Sequence, residues 1–182
     1  MSIVNKLKEN NIIEYILYMY QMENFLRHFK LDIHQVTEYL VDKNLSEDQQ
    51  KEQIEWFLNL IKQIKNEKIE QQGHLSMLNE ILIELSYLHN TLLNLSNDEQ
   101  YKKMYNNAIE HVEFFKQKSN LKNKNHIELM IHALFMKWLM VIQKKEISKE
   151  TAESLEIFRK ILVHLGKSYH QMKQGKLNFF NN

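Results

Sequence analysis

The chain has 182 residues, contains no cysteine or proline, and carries a formal net charge of +1. The lack of cysteine excludes disulfides, thiolate catalysis and cysteine-based zinc sites, and the balanced charge provides no field that would attract nucleic acid or an anionic membrane. The length suits a single domain, residues 1–182, with enough chain to bury a core without covalent cross-links.

Helices are predicted along most of the chain, because straight-chain residues are common and there are only three glycines. Gly73 is expected to end the third helix in a left-handed conformation. The predicted helices cover about residues 11–29, 32–43, 46–69, 75–95, 98–118, 126–143 and 148–172. Their expected N-caps are Asn10 or Asn11, Asp32, Ser46 with a capping box to Gln49, Asn97 or Asp98, and Ser148.

Two predicted helices, near residues 11–29 and 126–143, are apolar on nearly every side. Such helices belong in a core or an interface. Both are therefore predicted at the centre of an all-α, irregular bundle of six to seven helices, although one of them could instead form a homodimer interface. No stretch reaches the ~18 apolar residues of a membrane span, and no signal peptide is evident. We expect a cytoplasmic protein.

The nine histidines follow no recognised metal-binding pattern. Both the Glu-x-x-His pairs of di-iron bundles and the His-Glu-x-x-His motif of zinc proteases are missing, so we expect no metal and no cofactor. There is no Gly-x-Ser-x-Gly nucleophile turn. The lysines between residues 116 and 124 have no interleaved aromatic side chains for base stacking. Catalytic residues, a membrane and a nucleic-acid partner are therefore not expected.

Arg159 and His164 provide the sharpest enzymatic alternative. Small helical ribonucleases that resemble the higher-eukaryote-and-prokaryote nucleotide-binding fold carry an Arg followed, four to six residues later, by a His. The Arg would bind the phosphate, and the His would act as general base or acid. About one chain in three of this composition would contain such a pair by chance. In addition, Lys160 occupies a position where those enzymes usually have a small polar residue.

A few polar residues of the first long helix need an explanation. Glu14 belongs to its polar stripe, whereas Glu23 points towards the apolar side, with Arg27 one turn further on. These two residues form either a surface salt bridge at i, i+4 or part of a buried polar cluster in which each charge needs a partner. His74 and His89 are the candidate neighbours in the second case.

Seven segments stand in order along the chain: Glu9–Glu23, Leu26–Arg27, Leu31–Ile33, Gly73–Leu75, Gln143–Ser148, Glu150–Thr151 and Gly175–Phe179. Together they resemble a bacterial domain-of-unknown-function family (numbered 4924). Tyr20 is one departure, since tryptophan would be expected there. The resemblance implies a single all-helical domain with no assigned activity, so no catalytic residue is carried over. The similar segments include Glu14, Glu23, Arg27 and His74.

The sequence thus favours a non-enzymatic interaction or structural module, which acts as a homodimer or by binding a protein partner. The apolar tail at Phe179 and Phe180 is expected to dock on the bundle or on a neighbouring molecule. The alternative is a small-ligand-binding or enzymatic bundle that uses a buried polar cluster near Glu23, Arg27 and His74. A ribonuclease-like protein using Arg159 and His164 is a further variant.

Overall fold

The computed structural model describes residues 3–96 and 98–177. Within these ranges the chain forms eight α-helices and no β-strand, so the predicted all-α class is confirmed. The helices are α1 (Ile3–Asn10), α2 (Ile12–His28), α3 (Ile33–Leu40), α4 (Glu47–Asn66), α5 (Ser76–Asn94), α6 (Glu99–Lys118), α7 (His126–Ile142) and α8 (Lys149–Lys173).

The predicted number of six to seven helices was too low because the short helix α1 was missed. The sequence placed the first helix start at Asn10 or Asn11, where α1 in fact ends and α2 begins. Hydrogen bonds from Asn11 N to Leu7 O and from Tyr15 N to Asn11 O continue across this junction. Helix α1 is only eight residues long, with Ile3, Val4 and Leu7 as its apolar residues, so the helical spacing does not repeat often enough for a sequence pattern to reveal it.

Capping side chains begin most of the longer helices. The predicted capping box is present, with Ser46 accepting from the backbone N–H of Gln49 and Gln49 accepting from that of Ser46. A second, unpredicted box joins Asn125 and Glu128 at the start of α7. These bonds satisfy backbone donors that have no partner within the helix. The predicted caps Asp32, Asp98 and Ser148 also accept backbone bonds, whereas Asn97 lies outside the described residues.

The chain divides into two compact units, and the boundaries between them fall within α2 and α5. Unit 1 comprises residues 1–18 and 80–182, and unit 2 comprises residues 19–79. In unit 1, helices α6, α7 and α8 pack against one another, and in unit 2, α3 packs against α4. The single domain inferred from chain length stays a prediction. The apolar tail at Phe179 and Phe180 lies outside the described residues.

The two helices predicted to be central differ in how far they are buried. Helix α2 is buried along most of its length, from Ile12 to Leu26. Gly166 on α8 allows close contact with its first turn, because an added Cβ there would lie 3.1 Å from Ile13 Cγ1. Helix α7 is buried only from Ile127 to Phe135. The remainder of α7 is apolar except for Lys137, and it is partly or largely exposed.

Lysines rather than glycines make the left-handed turn after three of the helices. Their φ values are +53° at Lys30 after α2, +56° at Lys68 after α4 and +53° at Lys144 after α7. The left-handed conformation is unfavourable for residues with a Cβ. The sequence predicted that Gly73 ends this third predicted helix. That prediction was wrong, because the helix, α4, ends seven residues earlier, at Asn66, and Lys68 makes the left-handed turn.

We expect Lys68→Gly to raise the free energy of unfolding of unit 2 by about 0.5–1 kcal/mol, because glycine adopts a positive φ without steric cost. Urea denaturation followed by Trp56 fluorescence, in a Trp138→Phe background, measures this change. Lys65→Gly is the matched control within α4 and should lower stability by about 1 kcal/mol. A loss of stability in both variants would contradict the assignment of the turn.

Candidate functional site

Glu23, on the part of α2 that belongs to unit 2, is fully buried, with 0% of its surface exposed. Its Oε1 accepts a hydrogen bond from the backbone N–H of Leu75 at 2.9 Å. Its Oε2 lies 2.6 Å from Nδ1 of His74. A buried carboxylate is tolerated only where such donors are present. The surface salt bridge with Arg27 was thus the wrong interpretation, and the buried alternative describes this side chain.

His74 is held in one orientation by contacts on two sides. Its ring stacks on Tyr20, with centroids 3.5 Å apart and planes 12° from parallel. Because Nδ1 faces a carboxylate oxygen of Glu23, we assign the ring proton to Nδ1. Nε2 is then the nitrogen left for other contacts, and 26% of the side chain is exposed.

Arg27 binds backbone carbonyl groups rather than a carboxylate. Nε and Nη2 donate to Ile69 O at 3.2 and 3.1 Å, and Nη2 also donates to Gly73 O at 2.5 Å. A guanidinium group suits this task because it presents several donors in a fixed plane. Gly73 itself has φ +98°, where other residues are strained. Arg27 thereby fixes the connection from α4 to α5.

The four side chains Tyr20, Glu23, Arg27 and His74 are called the Glu23 cluster below. Together they hold residues 69–75, the connection that leads into α5. Glu67 completes the support, since its two carboxylate oxygens accept from Ser76 N at 2.7 Å and Ser76 Oγ at 2.9 Å. The hydrogen bonds that Glu23 and Arg27 make to described residues thus shape this connection.

The other two residues proposed for the cluster are placed elsewhere. Glu14 is exposed on the part of α2 that belongs to unit 1, and its backbone N–H donates to Asn11 Oδ1. His89, on the part of α5 in unit 1, is 6% exposed. Its partners are two tyrosines that the sequence did not single out. The cluster foreseen from the sequence is thereby reduced to Glu23, Arg27 and His74, with Tyr20 added.

His89 belongs to a group of histidines and tyrosines within unit 1. Its Nδ1 lies 2.7 Å from the hydroxyl of Tyr101, which is fully buried, and its ring packs edge-on against Tyr105. Burial, together with the nearby charge of His126, lowers the pKa of His89 from 6.5 to about 4. Burial also raises the pKa of Tyr101. Both rings are therefore neutral at pH 7.

Two further histidines of this group are paired with carboxylates. Nε2 of His126 lies 3.0 Å from Glu113 Oε1, and its Nδ1 lies 2.6 Å from the Tyr105 hydroxyl. Nε2 of His164 lies 2.7 Å from Asp98 Oδ2. No sequence spacing signals these pairs, since the partners come from different helices or from a helix cap.

Arg159 and His164, the residues of the ribonuclease alternative, bind different partners. Arg159 makes two hydrogen bonds to Glu156, both 2.8 Å long, whereas His164 contacts Asp98. A separation of five residues also places the two side chains about 140° apart around α8. The structure does not bring them together at one site.

Neither a metal site nor a membrane span is found in the part of the chain that the structure describes. Residues 3–96 and 98–177 contain no group of three or more histidines, aspartates or glutamates arranged to hold a metal ion. In the same ranges no helix has the length and apolar character needed to cross a membrane.

One family model matches almost the whole chain. The model of a domain of unknown function, DUF4924, matches residues 1–176. The chain belongs to the DUF4924 family. No curated protein and no solved structure matches it. Since the family description states no activity, the function of this DUF4924 chain has to be argued from its geometry.

For this DUF4924 chain we expect Glu23→Ala to lower the free energy of unfolding of unit 2 by about 2–5 kcal/mol. The substitution leaves the buried Leu75 N–H and His74 Nδ1–H without an acceptor. Trp56 fluorescence in urea, in the Trp138→Phe background, measures the loss. Glu14→Ala removes an exposed carboxylate from the same helix and should change stability by less than about 0.5 kcal/mol. Similar losses in both variants would contradict the structural role of Glu23.

Proposed function

We propose that this chain is a non-enzymatic interaction module that pairs with a second copy of itself through the end of α7. The observation that carries the proposal is the apolar end of α7, defined as residues 136–142. Six of these seven residues are apolar, and Lys137 is the only charged one. Large apolar surfaces without charge are unusual on monomeric proteins and mark interaction sites.

The exposure of this segment supports a role in binding. Met136 is 38% exposed, Val141 is 59% exposed and Ile142 is 50% exposed. The three residues between Lys137 and Val141 are half-buried. Apolar surface is thus present on more than one side of the helix. The hydrophobic effect gives about 25 cal/mol for each Å² of such surface removed from water.

A second copy of the chain is the occupant that the charge distribution favours. In a two-fold dimer the same patch faces itself, so each charge in the patch meets a like charge nearby. A patch with one lysine in seven residues avoids most of this repulsion. The formal net charge of +1 also leaves little long-range repulsion between copies. Paired α7 helices would give an isologous contact of the kind most common in homo-oligomers.

The polar residues favour this proposal over the enzymatic and ligand-binding alternative. Both oxygens of Glu23 accept bonds from the chain itself, and Arg27 is engaged by two backbone carbonyls. A catalytic or binding group needs bonding capacity directed at a ligand. For Glu23 and Arg27 that capacity supports the connection between α4 and α5.

We expect the purified protein to dimerise with increasing concentration, and the double substitution Val141→Lys/Ile142→Lys to shift it to monomer. Two added positive charges on each copy would face their counterparts across a two-fold contact and would need to be desolvated. Sedimentation velocity or light scattering after gel filtration, over a wide concentration range, measures the molecular mass.

Ile83→Lys is the matched control. Ile83 is also an exposed apolar residue of unit 1, at 69% exposure, but Glu80 and Glu84 lie beside it on the same helix. It should leave the dimer intact. A strictly monomeric wild-type protein would overturn the proposal. Equal dissociation by the Ile83 variant would show non-specific association rather than pairing at α7.

A further inference from the structure

His89 differs from the other histidines of its group in the partner it has. His126 and His164 each contact a carboxylate, from Glu113 and Asp98. His89 is hydrogen-bonded through Nδ1 to the phenol of Tyr101, and no carboxylate among the described residues is paired with it. A carboxylate stabilises an imidazolium ion, whereas a buried phenol does so only weakly. His89 therefore sits where a neutral ring is required.

The direction of the His89–Tyr101 hydrogen bond depends on that neutral ring. The Tyr101 side chain is fully buried, and its hydroxyl proton needs an acceptor. Nδ1 of His89, 2.7 Å away, is that acceptor when the ring proton resides on Nε2. Protonation of Nδ1 would remove the acceptor and place a charge in the core at the same time. Both consequences destabilise the contact between α5 and α6.

We infer that the His89–Tyr101 contact is an acid-sensitive device that loosens the contact of His89 on α5 with the start of α6 when His89 is protonated. The proposal concerns unit 1 alone and does not depend on dimerisation. It assigns to His89 a conformational role rather than a catalytic one.

The titratable groups around His89 come from the neighbouring helices of unit 1. Helix α6 contributes Tyr101 and Tyr105, which contact the ring directly. Helix α7 contributes His126, whose positive charge opposes protonation of His89. Helix α8 contributes His164, whose ring packs against Tyr101. The carboxylates of this region are already paired, Glu113 with His126 and Asp98 with His164.

The sign of the pH dependence follows from the pKa of His89, which is about 4 in the folded protein against an ordinary value of 6.5. Between these values the opened state binds a proton that the closed state does not bind. Opening is therefore favoured as pH falls, and stability is fully present only above about pH 6.5. Between pH 7 and pH 5 the opening constant should increase roughly 20-fold through this group.

Hydrogen exchange measured by mass spectrometry at pH 7 and pH 5 tests the inference. Peptides covering the ends of α5 and α6 that contain His89 and Tyr101 are followed in the full-length chain. His89→Gln supplies an acceptor that does not titrate in this range. Comparing the two proteins at each pH cancels the intrinsic pH dependence of exchange. The wild-type increase in opening should exceed that of the variant roughly 20-fold.

His111→Gln is the matched control, because His111 is a half-buried histidine of unit 1 that contacts Ser154. It should retain the wild-type response. Equal responses in wild type and His89→Gln would overturn the inference, as would loss of the response in the His111 variant.

Nitrogen-15 NMR of the wild-type histidine rings provides a second readout if the Gln variant does not fold. It should find the His89 proton on Nε2 at pH 7 and a titration well below pH 6. A His89 ring that titrates near its ordinary pKa while α5 and α6 remain protected from exchange would also overturn the inference.

Discussion

The buried carboxylate of Glu23 is the interaction on which the structure of unit 2 most depends. An ionised group without solvent contact is tolerated only when donors surround it, and here the donors come from residues 74 and 75. Glu23 thus specifies the path of the chain into α5. Arg27, one turn later on the same helix, fixes the residues just before that point. Two side chains of α2 therefore determine a connection about 50 residues away.

The histidines of this chain illustrate how one residue type takes its properties from its partner. His74, His126 and His164 lie against carboxylates, whereas His89 lies against a phenol. His170 accepts the backbone N–H of Ile12 through Nε2, and burial lowers its pKa. The histidines follow no metal-binding pattern in the sequence, and each of these five rings joins two segments of the fold through its own hydrogen-bond partner.

Features set by neighbouring residues could be predicted from the sequence. The capping box at Ser46 and the inward direction of Glu23 both follow from helical geometry, and both occur in the structure. The pairing of His89 with Tyr101 could not be foreseen, because it depends on the angle at which two helices meet. The turn at Lys68 was missed for a different reason. Glycine is the usual residue there, whereas in this chain Lys68 has a φ of +56° and the next residue, Ile69, donates its N–H to Ile64 O.

The environment of helix α7 could not be predicted from its apolar composition alone. A helix that is apolar all round was expected in a core or in an interface, and the sequence could not separate these environments. The first half of α7 packs in unit 1 through residues such as Leu129 and Ile131, which are fully buried. The second half retains the same composition while Val141 and Ile142 remain exposed. Core packing accounts for the apolar residues up to Phe135, and pairing with a second copy is the proposal that accounts for the rest. Under this proposal the core and the interface are the environments of two successive segments of one helix, rather than alternatives for the whole helix.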